Sequence, residues 1–239
     1  MRNVLPLLLL PALLAGCAGA GAPDDNRVRM ASAAMASGNA AAALQIAAAL
    51  ARENPRDARA QLRHAELLAA TGRWPQAADA FARAVAADGT LRAAHLGLGR
   101  ARLRGGDLPG AERAFRDAIA ALPREAGAQS GLGVALDMQG RHAEAQAAYR
   151  AALDLDPAHA GARTNLALSL TLSGQGPEAV RVLEPVVRAP GSTPRQRHNL
   201  ALAYAAAGDA PRAAALLAPE LGEASREAAL AWRTALDGS

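Results

Sequence analysis

The chain has 239 residues, 51% hydrophobic but only 3% aromatic, and its 26 basic and 22 acidic side chains leave a formal charge of +4. All 26 basic residues are arginine, so a phosphate-binding loop that reaches its ligand with lysine is excluded. The single cysteine excludes an intramolecular disulfide, and near-neutral charge with few aromatic rings argues against a nucleic-acid partner, even at the densest basic cluster, Arg92, Arg100, Arg102 and Arg104.

The N-terminus reads as a targeting segment. Met1-Arg2-Asn3 supplies a positive start, Val4 to Leu14 is an apolar run, and Leu14-Ala15-Gly16-Cys17 follows directly. The run is too short to cross a bilayer, which takes about 20 residues. The pattern resembles a bacterial lipoprotein signal with its lipobox. That resemblance implies a signal peptide over 1–16 and a mature chain acylated on Cys17, held to the membrane by lipid rather than by a span. The competing reading makes Cys17 a stray thiol in an ordinary secretory signal. Ala18 follows the cysteine where inner-membrane retention uses aspartate, which favours the outer membrane, facing the periplasm. Residues 17–26, with Gly19, Gly21, Pro23, Asp24 and Asp25, are too small and polar to bury a core and read as a flexible tether. The paired aspartates suit the start of a helix better than catalysis.

From there the chain is periodic. Gly38, Gly72, Gly106, Gly140, Gly174 and Gly208 stand 34 residues apart. Seven residues before each lies a small residue (Ala31, Ala65, Gly99, Gly133, Ala167, Ala201), and five after each lies alanine (Ala43, Ala77, Ala111, Ala145, Ala179, Ala213). These are expected close approaches of two helices. Leu98, Leu132, Leu166 and Leu200 precede the small residue, and Phe81, Phe115, Tyr149, Leu183 and Leu217 follow the glycine by nine. Pro55, Pro123 and Pro157, with Gly89 and Gly191 in the same slot, end the units because they break helices. Each periodic glycine is then expected at positive φ, capping the first helix of a pair.

A 34-residue helix–turn–helix period with these residues resembles the tetratricopeptide repeat (TPR). The match runs through Leu98-Gly99, Ala111, Phe115, Ala118 and Pro123, then through Leu132-Gly133, Ala145, Tyr149, Ala152 and Pro157; the usual first-helix tryptophan is missing throughout. The expected fold is an all-α TPR solenoid of six repeats (24–57, 58–91, 92–125, 126–159, 160–193 and 194–227) with a capping helix over 223–237, where Trp232 and Leu236 cover the last repeat. The resemblance also implies a concave groove lined by first-helix residues. In this chain those are Arg59, Leu62 and Glu66; Leu96, Arg100, Leu103 and Arg104; Ser130, Val134, Asp137 and Met138; Thr164, Leu168, Thr171 and Leu172; and Arg195, His198 and Leu202. This groove is charged early and apolar late, as a surface for an extended or helical protein segment. Some of its leucines are also candidates for packing against the neighbouring repeat. The lysine and asparagine that chaperone-type TPRs use to clamp a terminal carboxylate are missing: the asparagine slot holds Ser32, Glu66, Arg100, Val134, Leu168 and Leu202.

Enzyme signatures fail. His64, His95, His142, His159 and His198 form no zinc-type spacing, and His64 occupies a slot that other units fill with leucine. Gly97-Leu98-Gly99 and Gly131-Leu132-Gly133 imitate a dinucleotide loop but lie inside first helices, with no preceding strand. No enzymatic activity, cofactor or metal is expected.

The segment from Asn165-Leu-Ala-Leu-Ser-Leu to Val182-Leu-Glu-Pro185, then Pro190-Gly-Ser-Thr-Pro-Arg-Gln-Arg-His-Asn-Leu-Ala-Leu-Ala-Tyr204 and Ala207-Gly-Asp209, resembles the TadD-type TPR lipoproteins of tight-adherence (Flp) pilus systems. That resemblance implies a lipid-anchored scaffold that helps assemble a secretin or another pilus component, with protein partners and no nucleic acid. The alternatives are an adaptor of another envelope system, such as a type IV pilus pilotin or a docking protein for peptidoglycan enzymes, and a regulatory subunit of an enzyme.

Overall fold

The computed structural model describes residues 23–218. Within them the chain forms twelve α-helices in six antiparallel pairs: α1 (Pro23–Ala36) with α2 (Ala40–Glu53), α3 (Ala58–Ala70) with α4 (Trp74–Ala87), α5 (Arg92–Arg104) with α6 (Leu108–Ala121), α7 (Ala126–Asp137) with α8 (His142–Leu155), α9 (Ala160–Leu172) with α10 (Gly176–Arg188), and α11 (Pro194–Ala206) with α12 (Ala210–Leu217). The signal segment, Cys17 and the capping helix expected over 223–237 lie outside the described residues. Pro23 to Asn26, the end of the segment read as tether, form the first turn of α1, in keeping with a first repeat that begins at residue 24. Proline at a helix start loses no hydrogen bond.

The glycine ladder is the hinge of every pair. All six periodic glycines have φ between 74° and 82°, and no other residue type has positive φ among the described residues. A Cβ built on any of the six meets nothing within 4 Å, so conformation rather than space requires glycine. The residue after each glycine donates to the carbonyl five positions earlier, as in Arg141 N to Leu136 O (3.0 Å) and Gln175 N to Leu170 O (2.8 Å). That bond closes the helix end and turns the chain back.

Packing follows from small residues. Ala43, Ala77, Ala111, Ala145 and Ala179 are fully buried, while the sixth of that series, Ala213, is half-buried in α12, the last described helix. The glycines at 97, 99, 131 and 133 sit where aromatic rings of second helices press in. A Cβ on Gly99 lies 2.5 Å from the Phe115 ring, and one on Gly133 lies 2.5 Å from the Tyr149 ring. Phe115 is thus held between Gly99 of its own pair and Gly131 of the next, with 1% exposure. In this way α4 and α6 fix the first helix of the following pair, and the core runs along the array as clusters from Leu44 to Tyr204.

Two junctions add a buried polar clasp. Glu112 of α6 accepts from Gln139 Nε2 (3.0 Å) and Arg141 Nη1 (2.8 Å) in the next pair's turn. One period later Gln146 of α8 donates to Ser173 Oγ (2.8 Å) and accepts from Gln175 Nε2 (3.4 Å). The carboxyl of Glu112 is held below its ordinary range, first by the Gln139 hydrogen bond and then by Arg141, against burial that pushes it up. The corresponding slots at the other junctions hold Leu44, Ala78 and Val180, which have no side chain able to make this contact.

Candidate functional site: a two-part groove

First helices line one face of the array, and two clefts open along it. The late cleft, of about 600 Å³, lies among α7, α8, α9 and α11 and brings together Val134, Met138, Thr164, Leu168 and Leu172. Met138 and Leu172 are 55% and 64% exposed, a large apolar surface left to solvent. Its polar groups are mostly consumed internally. Asp137 accepts from Ser169 Oγ (2.7 Å) and lies 2.9 Å from His142 Nδ1. Burial and the nearby Asp137 carboxylate push the Tyr149 phenol far above its ordinary range, so it stays neutral. Asn165 and Arg195 meet across the α9–α11 gap at 3.4 Å.

The early cleft lies among α3, α4 and α5 and brings together Glu66, Leu96, Arg100 and Arg104. Arg100 and Arg104 occupy successive turns of α5, both exposed, and neither has a side-chain partner among the described residues. Arg92, at the same mouth, is already paired with Glu125. The floor is Trp74, Phe81, Leu91 and Leu96. Because Gly97 carries no side chain, the Phe81 ring packs directly against α5 beneath the cleft and is 5% exposed.

Of the eighteen expected groove residues, eleven line one cleft or the other. Two of those eleven are floor rather than contact surface: Leu96 is 5% exposed and Thr164 6%, its hydroxyl spent on Ala160 O at 2.8 Å. This position of the first helix faces the next first helix, as the buried Ser130 also shows, and packing wins there over access. Leu103 turns into the core beside Phe115. His198 and Leu202 lie on exposed parts of α11 outside the late cleft, to which that helix contributes Arg195 and Gln196. Sequence reasoning missed Trp74, Phe81, Tyr149, Asn165 and Gln196.

The arrangement can hold an elongated protein segment, with unspent guanidinium groups at one end and an open apolar trough at the other. Among the described residues no three His, Cys, Asp or Glu side chains gather to hold a metal ion, and no helix is long and apolar enough to cross a membrane. A helical-repeat interaction scaffold is the class this fold and groove define. Tetratricopeptide-repeat models match residues 28–91 and 96–160, 136–201, and 194–219, and the chain belongs to the tetratricopeptide repeat family. Among solved structures it is similar to a tetratricopeptide repeat protein from Parabacteroides merdae (14% identity, TM-score 0.70, covering 82% of this chain and 78% of that one). It is also similar to PilF of Pseudomonas aeruginosa (15%, 0.65, covering 81% and 88%) and to YrrB, described as a TPR protein with an unusual peptide-binding site (20%, 0.56, covering 72% and 88%). At these identities the likeness is one of fold. No curated protein matches the sequence.

Proposed function

We propose that this chain is a non-catalytic scaffold, anchored through acylated Cys17 to the periplasmic face of the outer membrane, that helps assemble the secretin or export machine of a tight-adherence (Flp) pilus. The observation that carries the scaffold reading is the polarised groove, with Arg100 and Arg104 unspent at one end and Met138, Leu168 and Leu172 open at the other. The bound segment then has a carboxylate side chain toward the first repeats and apolar residues toward the last. First helices spaced about 9 Å apart put Arg100 and Leu168, two helices away, roughly 18 Å from each other, or about six residues of extended chain. The pilus assignment rests on the wording of the segment from Asn165 to Asp209, which the similarity to PilF, being one of fold, neither strengthens nor weakens.

The test is made in cells. Deletion of the gene should remove secretin multimers from the outer-membrane fraction and pili from the surface, and Leu172→Asp should reproduce both losses at normal protein level. Normal secretin multimers and pili in the deletion strain would overturn the pilus reading in favour of another envelope system. Cys17→Ser should shift the protein from the membrane to the soluble periplasmic fraction; unchanged fractionation would overturn the anchor.

A further inference from the structure

On the side of α3 away from the groove, three departures from the repeat pattern meet. His64 stands where every later unit has leucine (Leu98, Leu132, Leu166, Leu200). Arg52 stands where the next units have Ala86 and Ala120, and Arg83 where they have Asp117 and Ala151. At 100° per residue His64 lies roughly 160° around α3 from Glu66, so it faces the second helices and not the groove. There α2, α3 and α4 enclose a cleft of about 570 Å³ to which Arg52, His64, Arg83, Gln61 and Pro55 all contribute, and its lining contains no acidic residue.

Both guanidinium groups are aimed by their Nε atoms. Arg83 donates Nε–H to Gln61 Oε1 (3.0 Å), and Gln61, 2% exposed, is itself fixed by donating Nε2–H to Ala51 O (2.7 Å). Arg52 donates Nε–H to Ala48 O (3.3 Å). The terminal nitrogens of both remain unspent among the described residues. His64 Nδ1 is buried with no hydrogen-bond partner there. The nearest acid on α2, Glu53, is taken by Arg27 through two hydrogen bonds (2.5 and 3.1 Å). Arg73 and Asp79 line the adjoining hollow, where Asp79 forms no ion pair with Arg83.

We infer that this cleft is an oxyanion site, in which Arg52, Arg83 and His64 together hold a carboxylate- or phosphate-type group on the opposite side of α3 from the groove. Two forked guanidinium groups present paired N–H donors to a planar or tetrahedral oxyanion, and the imidazole lining the same cleft adds positive charge when it is protonated. With the site empty, the arrangement disfavours the imidazolium: burial first, then Arg83 and Arg52, hold the His64 pKa below its ordinary value. A bound anion reverses the electrostatic part of that effect. Anion binding and protonation of His64 are therefore linked, each favouring the other.

The purified chain is titrated with inorganic phosphate and, separately, with an acetylated diglutamate amide, while the His64 imidazole signal, assigned by its loss in His64→Leu, is followed by NMR against pH. Saturable binding that raises the His64 midpoint is expected. Arg52→Gln, an exposed change, and His64→Leu, which restores the residue of the later repeats, should each weaken binding about tenfold in calorimetry, with helical content unchanged. A response to both probes supports an oxyanion site open to free ions. A response to diglutamate alone supports an acidic side chain of a protein partner as the source. The inference is overturned if neither probe moves the midpoint more than chloride at equal ionic strength, or if both variants bind like the parent chain.

Discussion

Replacing Gly99 by alanine sets two effects against each other, and the surroundings of Phe115 decide between them. In mid-helix the exchange gains about 1 kcal/mol of helix propensity. The new Cβ, however, would lie 2.5 Å from Cε1 and Cζ of Phe115 and 2.8 Å from Cδ1, where carbon atoms prefer about 3.5–4.0 Å. The ring must retreat by about 1 Å. It has nowhere to go, being 1% exposed and already pressed on its far side against Gly131. Overpacking of this kind costs up to about 3 kcal/mol. The expected net effect is a destabilisation of about 1–2 kcal/mol, read as a lowered urea midpoint in circular dichroism. In a Phe115→Leu background the clash is relieved, so Gly99→Ala should there be neutral or stabilising, and the two changes should be strongly non-additive. A stabilised Gly99→Ala single variant, or the same loss in both backgrounds, would refute the reasoning.

Gly140→Ala meets no atom but must hold φ near 76°, so it should cost about 1 kcal/mol through backbone strain alone, by the same unfolding assay. The Glu112 carboxyl is lowered in the folded chain, so its contribution is present above the unfolded pKa and is lost as pH falls through the folded one. Glu112→Gln should therefore flatten the fall in melting temperature from about pH 5 downward, measured by thermal scans at stepped pH. Met138→Asp and Leu172→Asp alter exposed side chains and should leave the melting temperature within about 2 °C of the parent while abolishing partner capture. A large drop in melting temperature would instead show that these residues are core.

The register of the fold was legible because one backbone requirement repeats. A left-handed residue must follow each first helix, only glycine adopts that conformation without strain, and six such positions fix where each first helix ends and each second helix begins. The groove was less legible. Composition of a first helix says which residues face inward, but whether Leu96 and Thr164 are covered depends on how closely the next first helix approaches, a distance the sequence does not contain. Phe81 and Tyr149 belong to second helices and are core, 5% and 1% exposed, so a reading of first-helix residues gives no sign that they also line the clefts. The clasps had a faint signal, polar residues at 112 and 146 in a slot that elsewhere holds leucine, alanine or valine.

Those clasps make the junctions of the array unlike one another. Glu112 and Gln146 reach from α6 and α8 to the turns that end α7 and α9, whereas under the early cleft Ala78 makes no such bond and Phe81 seats against Gly97 instead. Damage at the two kinds of junction is therefore of different kinds: losing one partner of a clasp strands a buried polar group, while truncating Phe81 leaves a cavity.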